Sequence, residues 1–308
     1  IASNIPGASF LIPKKTDVYG RPIERDDGGV VSNFWNAFVN PITTTKRRDD
    51  AAISEIERLQ KSGIKEIIPT QTTSFEHGGK RYTLSPKEQQ EWNSVGGETL
   101  KAVAEAMNTP EYQNMTDEQK GKFIKAVKEY YRTEKEVEYL TGKNVSVTID
   151  ATTAEVRGAA KPENGELTPA QYLFAKHSVD GMDTVEKRRA VLNMDNLSPE
   201  AKVYVMKTND MLGEEDGSRL KAMETGKIDF GIDNVDFADV YTKYLELKDD
   251  KSLSSNQRDT QFISYIMSKF PGSDASSVAK KEFLYTSLAD AYYHMPKETT
   301  IDFSGGEE

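Results

Sequence analysis

Cysteine is absent from all 308 residues. That single absence removes disulfides, thiolate nucleophiles and cysteine-ligated zinc or iron–sulfur centres, while leaving the redox compartment open. Histidine is almost as scarce. His77, His177 and His294 stand far apart, and no His-Glu-x-x-His pair exists to seat zinc on a helix. His77 falls beside a turn and reads as a surface residue. His177 and His294 fall near helix ends, where a bond to the last carbonyls is the plain reading. Long apolar runs are missing too: none approaches 18 residues, so no transmembrane helix is expected. Neither a Gly-x-x-x-x-Gly-Lys-Ser/Thr phosphate loop nor a Gly-x-Ser-x-Gly elbow occurs. Asp229-Phe230-Gly231 repeats the kinase metal-binding tripeptide in letters alone, without the Gly-rich loop, strand lysine or His-Arg-Asp that give it meaning. The acids Asp229, Asp233, Asp236 and Asp239 lack the ligand order and closing Glu of an EF-hand, and charge at a helix start accounts for them equally well. Carboxylate pairs for glycoside cleavage are defined by a separation in space that spacing along a chain does not supply. No catalytic residue, cofactor-binding residue or metal ligand is therefore assigned, no cofactor is expected, and the chain reads as a non-enzyme.

Basic residues are outnumbered, 40 Lys and Arg against 50 Asp and Glu, for a net charge of −10. An acidic chain does not neutralise phosphate broadly, so general nucleic-acid binding is disfavoured. The compact basic runs, Lys46-Arg47-Arg48 and Lys187-Arg188-Arg189, read as solvated faces. Hydrophobic residues make up 36% of the chain and mean hydropathy is −0.66. Ile, Leu, Val and Phe together are roughly a fifth of it, close to compositions that stay disordered. The 14 Tyr, 12 Phe and 2 Trp tip the balance toward folding, since each aromatic buries a large area. Tyrosines at 130–131, 139, 241, 244, 265, 285 and 292–293 recur on expected helices and read as packing residues. The chain opens Ile1-Ala2-Ser3 rather than with Met and carries no signal-peptide pattern. Ile1 is thus a cleavage product or a cut edge, and the chain reads as a piece of a longer polypeptide.

Residues 1–48 form an expected extended arm, because Pro6, Gly7, Pro13, Gly20, Pro22, Gly28, Gly29 and Pro41 are too dense for long helices. Apolar anchors recur along it, and both an ordered docking strap and plain disorder fit; Phe34 to Val39 suits a short helix. Residues 49–142 form an expected helical domain. Its first helix, about 50–62, places Ala52, Ile53, Ile56 and Leu59 on one face and stops at Gly63. A hairpin over 74–83 turns at Gly78-Gly79. Ser85-Pro86-Lys87-Glu88 is a capping box with proline at the first helical position. Its helix is expected to meet Gly96-Gly97 and resume through Leu100. Similar starts at Thr109-Pro110, Thr116-Asp117-Glu118-Gln119, Thr168-Pro169-Ala170-Gln171 and Ser198-Pro199-Glu200 are unevenly spaced and define no repeat. Val145 to Ile149 suits a short strand or extended linker within a linker over 143–167. A second helical domain, 168–295, is expected to hold helices near 169–179, 184–194, 199–212, 216–225, 235–248, 256–269 and 274–294. A polar tail, 296–308, follows. The expected fold class is mainly α, a multi-helix bundle or bundles with an extended N-terminal arm and one small β-hairpin.

The order of several segments carries a resemblance. It begins with Ile5-Pro6-Gly7-Ala8-Ser9, Pro13-Lys14, Asp17-Val18-Tyr19-Gly20-Arg21-Pro22-Ile23-Glu24 and Asn40-Pro41. It continues with Glu55-Ile56-Glu57-Arg58-Leu59, the glycine hairpin, Leu84-Ser85-Pro86-Lys87-Glu88, Pro110-Glu111-Tyr112 and Met115-Thr116-Asp117-Glu118-Gln119-Lys120. Over residues 1–140 this series resembles the C-terminal conserved segments of large phage polyvalent proteins and internal virion, or ejection, proteins. The resemblance implies a virion component packaged with the genome, delivered into the host during infection, partnered by other virion proteins of the portal or core, and self-associating. It brings no catalytic residues. The arm residues Phe10, Leu11, Tyr19, Arg21, Phe34, Trp35 and Phe38 are the expected subunit contacts. The competing readings are a helical accessory or interaction domain of a polyvalent phage enzyme, and an enzyme built from scattered carboxylates.

Overall fold

Helices make up most of the described residues, and eight of them start on a side-chain cap. The computed structural model describes Tyr19, residues 47–143, Val145, residues 166–226 and residues 230–289. The chain divides into two compact units, Ile1–Arg157 and Gly158–Glu308.

In the first unit, α1 (Arg47–Lys61) buries Ala52, Ile53, Ile56 and Leu59, the face expected from their spacing. Gly63 at φ +101° ends it, a conformation open to glycine at no steric cost. The hairpin pairs β1 (Ser74–His77) with β2 (Lys80–Thr83), antiparallel, with Phe75 opposite Tyr82. Gly78 at φ +57° and Gly79 at φ +73° form its two-residue turn, matching the twist of the strands they join. Helix α2 (Pro86–Trp92) starts on the Ser85–Glu88 capping box. Helix α3 (Ser94–Ala106) follows after one residue, so the interruption falls at Asn93 and not at the glycines. Gly96 and Gly97 lie inside α3, where each costs up to ~1 kcal/mol relative to Ala. A reason for Gly97 is visible: a Cβ there would stand 3.1 Å from the Tyr19 backbone carbonyl. The short α4 (Pro110–Asn114) is capped by Thr109, and the long α5 (Asp117–Gly142) by the Thr116–Gln119 box. Helix α3 packs against both α1 and α5.

Gly121 on α5 is a second forced glycine. A Cβ there would lie 2.4 Å from Cγ2 of Ile64, whose β-branched side chain has little freedom to retreat. Gly121→Ala gains up to ~1 kcal/mol of helix propensity but overpacks this contact by about 1–3 kcal/mol. The expected outcome is a net loss of up to about 2 kcal/mol in urea unfolding, and Gly121→Ala combined with Ile64→Ala is expected to lose less than the sum of the two single variants.

The second unit is built around α10 (Asn234–Asp249), whose residues Phe237, Ala238, Val240, Tyr241, Tyr244, Leu245 and Leu247 are buried on nearly every side. It packs against α7 (Thr184–Leu192), α8 (Pro199–Thr208), α11 (Ser255–Lys269) and α12 (Ala275–Ala289). Helix α6 (Pro169–Ser178) joins α8, and α9 (Glu214–Gly226) joins α12. The Thr168 and Ser198 starts fall where expected. The helix expected over 199–212 ends at Thr208, because Asp210 turns the chain at φ +52°. The fold is mainly α-helical with one small antiparallel hairpin, as the sequence predicts. No helix among the described residues is long and apolar enough to cross a membrane.

Of the expected subunit contacts, Tyr19 is described, and it is buried on this chain at 8% exposure. Phe10, Leu11, Arg21, Phe34, Trp35 and Phe38 lie outside the described residues, as do the 34–39 helix, the strand or linker at 146–149, His294, Tyr292, Tyr293 and the 296–308 tail.

Candidate functional site

Two clusters of charge stand out, one in each unit. The first lines a cleft of about 350 Å³ bounded by Glu55, Arg58, Met107, Tyr112, Gln113, Asp117 and Lys120. Its centre is the Arg58 guanidinium, which projects from α1 and bridges two carboxylates. Nη2 and Nη1 donate to Asp117 at 2.7 and 3.0 Å, and Nε and Nη2 donate to Glu55 at 2.7 and 3.0 Å. The planar fork of arginine suits such double pairing. Asp117 is the first residue of α5, so its charge also faces the positive end of that helix. Lys120, one turn further, sits 3.5 Å from Glu55 and 4.7 Å from the centre of the Tyr112 ring. The Tyr112 hydroxyl donates to Glu55 at 3.4 Å.

These contacts set the protonation of the cleft. The hydrogen bonds from Arg58 hold both Glu55 and Asp117 below the ordinary carboxylate range, against the opposing effect of burial. Burial, followed by the Glu55 charge, pushes the Tyr112 phenol up. Two cations face two anions, and the cleft is electrically balanced. Its chemistry is that of a fastener between α1, α4 and α5, with its acids ionised and its phenol protonated.

A carboxylate whose folded pKa lies below its unfolded value stabilises the fold above the unfolded value, and that stabilisation fades as pH falls through the folded value. The contribution of Glu55 is therefore complete above about pH 5 and is lost from about pH 4 downward. In a Trp35→Phe background, thermal melts followed by Trp92 emission are expected to fall between pH 5 and pH 3. Arg58→Met is expected to be less stable at pH 6 and to fall less steeply across that range.

The second cluster is more deeply buried. Arg188 on α7 donates from Nε and Nη2 to the two oxygens of Asp249, both at 2.8 Å, and from Nη1 to Asp216 at 3.1 Å. The side chains of Arg188, Asp216 and Asp249 are 4%, 4% and 6% exposed. Lys248 bonds the other oxygen of Asp216, the Tyr241 hydroxyl donates to the Asp216 carbonyl at 3.1 Å, and Arg189 donates to the Asp249 carbonyl at 2.8 Å. Bonding to Asp249 raises the pKa of Arg188 further. Arg188 and Lys248 balance the carboxylates of Asp216 and Asp249, while Arg189 bonds a backbone carbonyl.

This corrects the reading of Lys187-Arg188-Arg189 as a solvated face: the middle residue is an internal tie between α7, α9 and α10. The side chains of Lys46, Arg47 and Arg48 lie outside the described residues. The acidic set resolves into helix-start and pairing roles. Asp233 caps α10 by accepting from the Asp236 amide at 2.7 Å, Asp236 meets Lys269 at 3.1 Å, and Asp239 also pairs with Lys269. Asp229 lies outside the described residues. The His177 ring meets the Asp180 carboxylate at 3.1 Å, just past the end of α6. Among the described residues no group of three His, Cys, Asp or Glu is arranged to hold a metal ion. Tyr130, Tyr241 and Tyr244 are buried as packing residues.

No protein-family model, curated protein or solved structure matches this chain.

Proposed function

We propose that this chain is a non-enzymatic structural component of a bacteriophage virion, an internal-core or DNA-ejection protein belonging to a larger polypeptide. The family resemblance of residues 1–140 suggests the setting. The observation that carries the reading is how the helices are made. Ser85, Thr109, Thr116, Thr168, Asp183, Ser198, Asp233 and Ser254 each cap the helix that follows with their own side chain. Five of these caps are reciprocal boxes. Helices whose starts are set by local contacts, in a chain without cysteine, favour fast refolding with no disulfide to re-form. That property suits a protein carried through a narrow channel and refolded beyond it. Both charge clusters support the same reading, since their cations and carboxylates are engaged with one another between helices.

Quantitative mass spectrometry of purified, nuclease-treated particles tests this. Peptides from 47–143 and 169–289 are expected at a fixed copy number per particle, protected from external protease. Their absence from particles would overturn the proposal. Recovery instead of a soluble complex with one host protein at fixed stoichiometry would favour the accessory-domain reading.

A further inference from the structure

We propose that helix α3 carries, at Gly97, a seat for the chain's own N-terminal arm, and that Tyr19 is the residue that closes this clasp. Two observations meet here. Tyr19 is 8% exposed although it lies in a segment punctuated by Pro13, Gly20 and Pro22. Its backbone carbonyl also stands 3.1 Å from where a Cβ on Gly97 would be, closer than a side chain ordinarily tolerates. Gly97 is the fourth residue of α3, a helical position where glycine is a poor choice unless backbone must approach backbone. The clasp supplies that requirement.

Twenty-seven residues separate Tyr19 from the start of α1 at Arg47. Extended, they reach about 90 Å, so chain length does not restrict where the arm can go. Seating in the same chain therefore competes with capture by a neighbouring copy or another protein. A partner that takes the arm through Tyr19 must first displace it from α3. The clasp stands independently of the virion assignment.

Hydrogen exchange read by mass spectrometry on the full chain tests the clasp. Peptides spanning residues 14–24 are expected to be protected in the native protein, equally at low and high protein concentration. Gly97→Leu, which fills the seat, and Tyr19→Ala, which removes the anchor without touching the helix, are both expected to speed their exchange by about tenfold or more. Peptides from 169–289 are expected to stay unchanged. If Gly97→Leu disturbs α3 itself, Tyr19→Ala still gives the answer. Unprotected arm peptides in the native protein, or protection that neither variant relieves, would overturn the clasp. Protection that rises with concentration would overturn its assignment to the same chain and place the arm on a neighbour.

Discussion

Arg188→Met is expected to destabilise the second unit by about 3–5 kcal/mol, the range for removing one member of a buried ion cluster. The size comes from what is left behind. Asp249 loses both hydrogen bonds to its carboxylate, and that side chain is 6% exposed. Asp216 keeps Lys248 but loses its second cation. Asp216 would then keep one partly exposed ammonium, while the buried Asp249 carboxylate would lose the guanidinium that pairs with it. Arg188→Lys is expected to recover little, because a single ammonium does not reproduce the paired bonds of the guanidinium. Arg188→Met combined with Asp216→Leu and Asp249→Leu is expected to regain most of the loss, since it removes the stranded charges as well. Lys248, 24% exposed, can then turn to water. Chemical denaturation followed by far-ultraviolet circular dichroism measures the three variants. Peptide-level hydrogen exchange should place the damage within 184–249 and spare 47–143. If Arg188→Met costs under 1 kcal/mol, the cluster is not the tie described above.

Much of the fold was legible because its signals are local. A Ser or Thr followed by Pro, or by Glu or Gln three residues on, favours a helix start from local contacts alone, and Ser85, Thr109, Thr116, Thr168 and Ser198 all cap as their neighbours imply. The Gly-Gly turn was legible for the same reason, as two adjacent positive φ values admit few other residues. Interruptions were less so. Glycine is a helix breaker on average, yet Gly96 and Gly97 lie within α3 while the interruption between helices falls at Asn93. The tertiary approach of Tyr19 outweighs local propensity there. At Asp210 the apolar pattern runs on to the buried Met211 although the helix has stopped, since periodicity carries no mark of a residue turned left-handed.

The charge clusters were the hardest to see. Arg58 and Asp117 are 59 positions apart, and Arg188 and Asp249 are 61 apart, so no spacing rule joins them. One signal for Arg188 was available. It stands three and four residues before Val191 and Leu192, both buried, which places it on the inward stripe of its own helix. Lys187 and Arg189 on either side obscured that stripe by making the run look uniformly solvated.

Phe75→Ala is expected to release the hairpin from the first unit, at a cost of about 3–5 kcal/mol for removing a buried phenylalanine. Two strands of four residues are not stable alone in water, so their order must come from what they pack on. Phe75 supplies that packing. It is 3% exposed, stacks on Tyr82 at 5.3 Å, lies 5.1 Å from Trp92, and meets the edge of Tyr139 at 5.4 Å. Leu84, Val95 and Leu140 complete the cluster, with Tyr131 and Val145 against its rim. Such aromatic pairs add about 0.5–1.5 kcal/mol each beyond their buried area, and Phe75 makes three of them. Tyr82 and Tyr139 sit 6.2 Å apart and keep a weaker contact of their own, which is too little to hold β2 once β1 is free. The variant should therefore lose exchange protection across 74–83 while α1, α3 and the middle of α5 retain theirs. In the Trp35→Phe background, Trp92 emission should shift to longer wavelength as water reaches a ring now 5% exposed. Phe75→Leu, which restores apolar volume without the ring contacts, should fall between the two. Equal protection of 74–83 in Phe75→Ala and the parent would show that the hairpin is held by something other than this aromatic cluster.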